Sequence, residues 1–593
     1  MAEPGSTPPI AALLAGYASG SLRPESVLRG AYAAMDRRGA DAVWIHVVPL
    51  DDALGQLETA EGRRRDGARL PLLGVPFAIK DNIDVAGRPT TAGCPAFAYK
   101  PEVTATAVRR LQEAGAILVG KTNLDQFATG LTGTRSPYGA LSSIFDADYI
   151  SGGSSSGSAV AVAARLVAFA LGTDTAGSGR VPAAFNGLVG VKPTRGLVST
   201  AGVVPACRSL DCVSILAHSA EDAALVLAVA RGPDPADPYS REAVGPPFRL
   251  GPAFRFGVPP REQREFFGDG AAELLYARAL DRLESLGGRP VEIDLAPFRA
   301  AADLLYEGPW VAERLASIRP FLDAHPEDVQ PVVRTIVERA AALTAVDVFQ
   351  GMYRLEALRR LAGAQWAGMD VLALPTAPTI YRHAAIERDP IRLNANLGYY
   401  TNFVNLLDCC AVAVPAGRGP GGLPFGLSLI APAFHDEMLV ALGMRWQGGA
   451  DGVAEAALPD RRVRLAVVGA HLSGEPLNHE LLGRGARLVR ACRTWREYRL
   501  YALPGPPPSR PGLVRVGDGR GAAIEVEVWE LGEAAFGNLV AGIPAPLAIG
   551  TVTLEDGEPV KGFLCEAHAV EAAEDISALG GWRAYRAGRG DRR

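Results

Sequence analysis

The chain has 593 residues, of which 48% are apolar and 21% charged, and its formal charge is −5. That composition describes a folded protein able to bury a sizeable core. It excludes a disordered chain, a collagen and a disulfide miniprotein. The mild acidity gives no electrostatic reason to expect a nucleic acid or an anionic membrane as partner.

Five lysines (Lys80, Lys100, Lys121, Lys192 and Lys561) stand among 60 basic residues, a bias that fits genome composition better than chemistry. Each is still worth inspection, because a lysine can lose its proton in a protein and an arginine cannot. The seven cysteines are scattered, odd in number and without a C-x-x-C pair, so neither a zinc site nor a disulfide framework is expected. No apolar run is long enough to span a membrane, and the N-terminus lacks a basic n-region and an apolar core. The expected compartment is a reducing cytoplasm.

In chain order, residues 1–70 read as helices, closed by a charged surface turn at ETAEGRRRDGAR (58–69). PLLGVPFAIKDNIDV (71–85) reads as a buried strand opening into a loop at Lys80-Asp81-Asn82. A helix (104–116) and a second strand (116–123) follow, a βαβ pattern that by itself predicts a mostly parallel sheet. Residues 151–200 are rich in Gly and Ser, 205–230 continue the strand–helix pattern, and 270–370 read as largely helical. Further strands are expected at 371–378 and 423–432. A polar, aperiodic stretch, 448–461, reads as a linker. Beyond it, short β runs with close turn signals predict a β-rich α+β domain over 462–593, with the proline cluster at 505–512 as a loop.

The informative stretch is SGGSSSGSAVAVAARLVAFALGTDTAGSGRVPAAFNGLVGVKPT (151–194). A Gly/Ser loop feeding a helix-compatible run aims backbone N–H groups at whatever sits there. Glycines around Ser178 let the chain turn its amides inward, which is what an oxyanion hole needs beside a nucleophile. None of the eight histidines lies in these motifs, and no G-x-S-x-G elbow is present. Two bases stay open on the residues alone: a histidine from elsewhere, or a lysine kept neutral by burial, for which Lys80 at the end of an apolar strand is the candidate. A strand-end lysine is ordinarily a cation reaching solvent.

Taken together, PFAIKDNIDV (76–85), KTNLDQFATG (121–130), GGSSSGSAVAVAA and GTDTAGSGRVPAAFNGLVGVKPTRG resemble the amidase signature family, including the spacing of 24 between Ser154 and Ser178. The resemblance implies an α/β fold over 1–447, a mixed central sheet covered by helices. It implies Ser178 as nucleophile, Ser154 as a bridging serine after a cis Gly153–Ser154 bond, and Lys80 as base. It places the oxyanion hole at Thr175, Ala176 and Gly177, where Ala176 replaces the family's usual glycine but keeps its N–H. No metal or organic cofactor is implied.

LDQFATGLTGTRSPYG (124–139) and the C-terminal segments GAHLSGEPLN (469–478), IEVEVWEL (524–531) and GGWRAYRA (580–587) resemble the allophanate hydrolase branch of that family. The branch implies hydrolysis of a small urea-like amide bearing a carboxylate, giving N-carboxycarbamate and then ammonia and CO2. It implies substrate contacts at Tyr306, Arg314 and Gly130. Tyr306 and Arg314 are eight apart, which on a continuous helix places them on similar faces. The C-terminal domain is implied to be γ-glutamylcyclotransferase-like, either structural or a decarboxylase with His471 as acid/base. A homodimer or larger homo-oligomer is implied, working on a small-molecule substrate alongside a separate urea carboxylase or biuret hydrolase. No Met-Lys-Met biotin-attachment motif is present, so a fused urea carboxylase is not expected. The rival readings are another small-amide amidase and the glutaminase subunit of a tRNA amidotransferase; the C-terminal segments argue against both.

Overall fold

The computed structural model describes residues 6–39, 41–243, 248–448, 462–505, 510–517 and 519–589. The chain divides into two compact units, Met1–Leu458 and Pro459–Arg593. The linker expected at 448–461 lies, from residue 449 onward, outside the described residues, as does 506–509 of the proline cluster.

The first unit is built on an eleven-stranded sheet. Its order is Trp44–Val47, Ile117–Thr122, Pro76–Lys80, Phe169–Asp174, Cys212–Ala217, Val189–Lys192, Cys409–Arg418, Pro424–Pro432, Val371–Pro375, Phe254–Val258 and Gly288–Glu292. The predicted βαβ unit is present: Pro76–Lys80 and Ile117–Thr122 pair in parallel, with helix Thr106–Glu113 between them in the chain. The sheet as a whole is mixed, as the family resemblance implies, and not the mostly parallel one that strand–helix alternation predicts. Its middle pairings, from Phe169–Asp174 across to Val371–Pro375, are all antiparallel. The inner strands Pro76–Lys80, Phe169–Asp174 and Cys212–Ala217 are buried along their whole length, the signature of a sheet covered on both faces.

Two local expectations change. ETAEGRRR is not a surface turn but the second half of helix Leu50–Arg65. Ala53, Leu57 and Ala60 are buried at helical spacing, and the charged residues between them form the solvent face. The run after the Gly/Ser loop is helical only over Ser156–Ala163. Arg165 turns out of the helix with φ 56°, and Phe169 already begins a strand.

The second unit contains a five-stranded sheet, ordered Arg487–Arg493, Glu525–Gly532, Arg462–Val467, Pro559–Cys565 and Leu547–Thr553. A smaller sheet joins Arg510–Arg515, Tyr498–Leu503 and Glu574–Asp575. Tyr498, Val526, Trp529 and Trp582 lie in its own apolar core.

Candidate active site

Lys80 ends strand Pro76–Lys80, and Asp174 ends the neighbouring parallel strand Phe169–Asp174, so both deliver their following loops to one edge of the sheet. The carboxyl ends of parallel strands are where open α/β sheets place ligands. Lys80 is fully buried and donates to Ser154 Oγ and Thr173 Oγ1, each at 2.7 Å. Burial brings its ammonium from 10.5 down to about 7, against the pull of the Asp125, Asp211 and Asp174 carboxylates. Lys121 makes the contrast. It is also buried, but Asp81 stands 3.0 Å from its Nζ, whereas Lys80 has no ion-pair partner among the described residues.

The peptide bond before Ser154 is cis, as the family pattern implies. Asp125 organises this corner: its carboxylate accepts from Gly133 N at 3.0 Å and Arg135 N at 2.8 Å, and its own amide donates to Ser154 O at 3.2 Å. A Cβ at Gly153 would lie 2.1 Å from Asp125 Oδ2, so only glycine fits beside it.

Ser178 sits in a turn wrapped around Asp174. The Asp174 carboxylate accepts from the amides of Gly177, Gly179 and Arg180 and from the Arg180 guanidinium at 2.9 Å, both side chains fully buried. Burial opposes the charge on Asp174, but Arg180 and these donors hold its pKa below the ordinary carboxylate range. Gly177 needs to be glycine, with φ 128° and Thr401 Oγ1 2.4 Å from where a Cβ would go. Ala176 has no positive φ, so the alanine that replaces the family's glycine is tolerated.

The Gly177 amide is occupied by Asp174 Oδ1 at 2.8 Å, so it is not available to an oxyanion in this arrangement. The amides of Thr175, Ala176 and Ser178 have no protein acceptor among the described residues, although all three residues are buried. Buried N–H groups are nearly always paired, and a set of three left open beside a serine fits an incoming anionic oxygen.

Ser178 Oγ donates to Gly130 O at 3.5 Å and does not hydrogen-bond Ser154 Oγ. The two serine loops still touch, through Ser155 N to Ser178 O at 3.2 Å. Gly130 thus meets the nucleophile candidate directly. Its neighbour Thr129 accepts at Oγ1 from Arg314 Nη1 at 3.1 Å, and Arg314 Nη2 donates to Tyr306 Oη at 3.3 Å. Tyr306 and Arg314 meet, but not on one helical face. Tyr306 lies in the turn 304–309 between helices Ala296–Asp303 and Trp310–Ala324, and only Arg314 is helical. Arg314 is 3% exposed, makes no ion pair among the described residues, and its buried Nε has no acceptor. Asp211, which the sequence reading passed over, is buried nearby and accepts from Thr175 Oγ1 at 2.5 Å. Burial pushes its carboxyl up to about 6, against the hydrogen bonds it receives.

In the second unit, His471 borders a cavity of about 240 Å³ with Glu480, Arg484, Arg510 and Phe563. The His471 side chain is 14% exposed, stacks on Phe563 at 5.1 Å and stands 3.5 Å from Glu480 Oε2. Burial lowers its pKa, with Glu480 opposing. The one His/Asp/Glu cluster with metal-like spacing among the described residues, His325, Glu327 and Asp328, is exposed and shares no residue with either site.

Residues 32–440 match the Amidase family model. The chain belongs to the amidase family. Residues 463–587 match the model of the allophanate hydrolase C-terminal domain, so this amidase carries that domain as its second unit. It is 42% identical over 573 residues to urea amidolyase of Saccharomyces cerevisiae, covering 92% of the chain but 31% of that protein. The chain therefore spans about a third of the length of the curated urea amidolyases it matches. It is 36% identical to a glutamyl-tRNA(Gln) amidotransferase subunit of Deinococcus radiodurans, over 72% of the chain and 93% of that protein. Among solved structures it is similar to Kluyveromyces lactis allophanate hydrolase, at 38% identity and TM-score 0.71, covering 99% of this amidase and 100% of that chain. Among the described residues no helix is long and apolar enough to cross a membrane.

Proposed function

We propose that this amidase hydrolyses allophanate through Lys80, Ser154 and Ser178. Neutral Lys80 takes the Ser154 proton as Ser154 takes that of Ser178, once the Ser178 hydroxyl leaves Gly130 O for Ser154. Ser178 Oγ attacks the terminal amide carbonyl, and the Thr175, Ala176 and Ser178 amides receive the oxyanion. Ammonia leaves with the returned proton. Water then releases N-carboxycarbamate from the serine ester.

The observation that carries the choice of substrate is Arg314. A buried guanidinium without a carboxylate partner is costly, and an anionic ligand relieves that cost. Thr129 ties Arg314 to the segment whose Gly130 touches Ser178, so the cation is held beside the nucleophile. Allophanate carries its carboxylate two bonds from the amide carbonyl and satisfies both groups at once; glutamine does not. Purified protein is expected to release ammonia from allophanate and not from glutamine, and the reverse preference overturns the reading. Arg314→Ala is expected to raise KM for allophanate about 10–150-fold, the worth of a charged hydrogen bond, and to spare uncharged small amides. Equal effects on both would remove Arg314 from the binding site.

The second unit is proposed to decarboxylate N-carboxycarbamate, with His471 delivering the proton to nitrogen and the Arg484 and Arg510 cations facing the dianion. His471→Ala is expected to leave the first ammonia release intact and to make N-carboxycarbamate persist, followed by 13C NMR. Unchanged product partition would leave the unit a structural one.

A further inference from the structure

The segment 206–211 joins the amide-donor turn to the helix that carries Arg314. At one end, the Asp211 carboxylate accepts from Thr175 Oγ1 at 2.5 Å, and it holds its own loop through Ala206 N at 2.8 Å and Cys207 N at 3.2 Å. At the other end, both Glu313 oxygens are taken by one residue: Ser209 N donates to Oε1 and Ser209 Oγ to Oε2, each at 2.7 Å. Glu313 immediately precedes Arg314 in helix Trp310–Ala324. Cys207 Sγ to Trp310 O at 3.6 Å and Ser317 Oγ to Ala206 O at 3.5 Å add weaker ties to the same helix. Asn405 Nδ2 braces the inner end by donating to Asp174 O and Leu210 O, both at 2.8 Å.

We propose that Glu313 is a specificity-positioning residue, which through Ser209 and Asp211 fixes the distance between the Arg314 guanidinium and the amides that receive the oxyanion. It touches no reacting atom. Its effect is to make the site a gauge for short amides with a carboxylate at one set distance. This rests on the reading of Arg314 as the carboxylate contact.

The sign of the effect separates positioning from plain electrostatics. Glu313 is an anion next to the anion-binding arginine, so neutralising it through space should favour an anionic substrate. Releasing the helix should do the opposite, since a displacement of about 1 Å in a positioned group is costly. The test compares allophanate with biuret, its uncharged isostere, followed as a substrate or as a competitive inhibitor of allophanate hydrolysis. Glu313→Gln is expected to raise KM for allophanate about tenfold, with kcat changed less than threefold and biuret affinity unchanged. Ser209→Ala keeps the backbone donor and removes only the hydroxyl; it is expected to shift KM in the same direction by a smaller factor, and carries the test alone if the Glu313 variant does not fold. In an Arg314→Ala background, Glu313→Gln is expected to have no further effect on the allophanate-to-biuret preference. Equal losses on both ligands, tighter allophanate binding, or an undiminished effect without Arg314 would overturn the proposal. If Arg314→Ala itself fails to distinguish the two ligands, the underlying reading falls; if it distinguishes them and the Glu313 and Ser209 variants do not, only the positioning role falls.

Discussion

Ser178→Ala is expected to abolish ammonia release from allophanate, by roughly five to six orders of magnitude, since the covalent step and the proton relay are lost together. The fold should be spared. The Ser178 hydroxyl makes a single long hydrogen bond, to Gly130 O at 3.5 Å, and the turn around it is held by Asp174 and Arg180 instead. A thermal melt close to that of the parent, alongside lost turnover, is the expected pair of results. Turnover near the parental level would remove Ser178 from the chemistry.

Lys80 is expected to give the second largest effect and a characteristic pH profile. With its ammonium near 7, the neutral form predominates only above that value. Activity should therefore rise through about pH 7 and fall about tenfold for each unit below it, as the base takes up its proton. Lys80→Ala should cost roughly 10²–10⁴-fold, the usual contribution of a positioned base. Lys80→Arg should not recover it. A guanidinium stays charged, and the site that encloses Lys80 is fully buried, with Ser154 and Thr173 at 2.7 Å. An active Arg variant, or a flat profile between pH 6 and 8, would show that Lys80 is only a structural cation.

The candidate residues were legible wherever one short stretch carries them. Lys80 at a strand end and the two Gly/Ser turns can be read locally, because strand burial and glycine spacing are local signals. The supports were not. Asp125, Asp174, Arg180 and Asp211 act by receiving or giving several hydrogen bonds across the site, and an isolated aspartate in a sequence carries no mark of that. The occupied Gly177 amide is likewise invisible without Asp174 folded against it. Tyr306 and Arg314 show the converse: their spacing pointed to a shared helical face, and they meet because the turn 304–309 folds Tyr306 back toward the arginine. The mixed sheet escaped strand–helix alternation because strand direction depends on pairings such as that of Cys409–Arg418 with Val189–Lys192, far apart in the chain.

The lowered pKa of Lys80 has a cost borne by the whole molecule. In the unfolded chain this lysine holds its proton up to about 10.5, and in the folded one only to about 7, so folding between those two pH values expels a proton. Across that interval the unfolded state binds more protons, so stability rises with pH, and below about 7 the penalty stands in full. At ~1.4 kcal/mol for each unit of pH, the site weakens the fold by an amount on the order of 5 kcal/mol, comparable to the net stability of many domains. On the proposed reading of Lys80 as the base, this is a trade of endurance for reactivity.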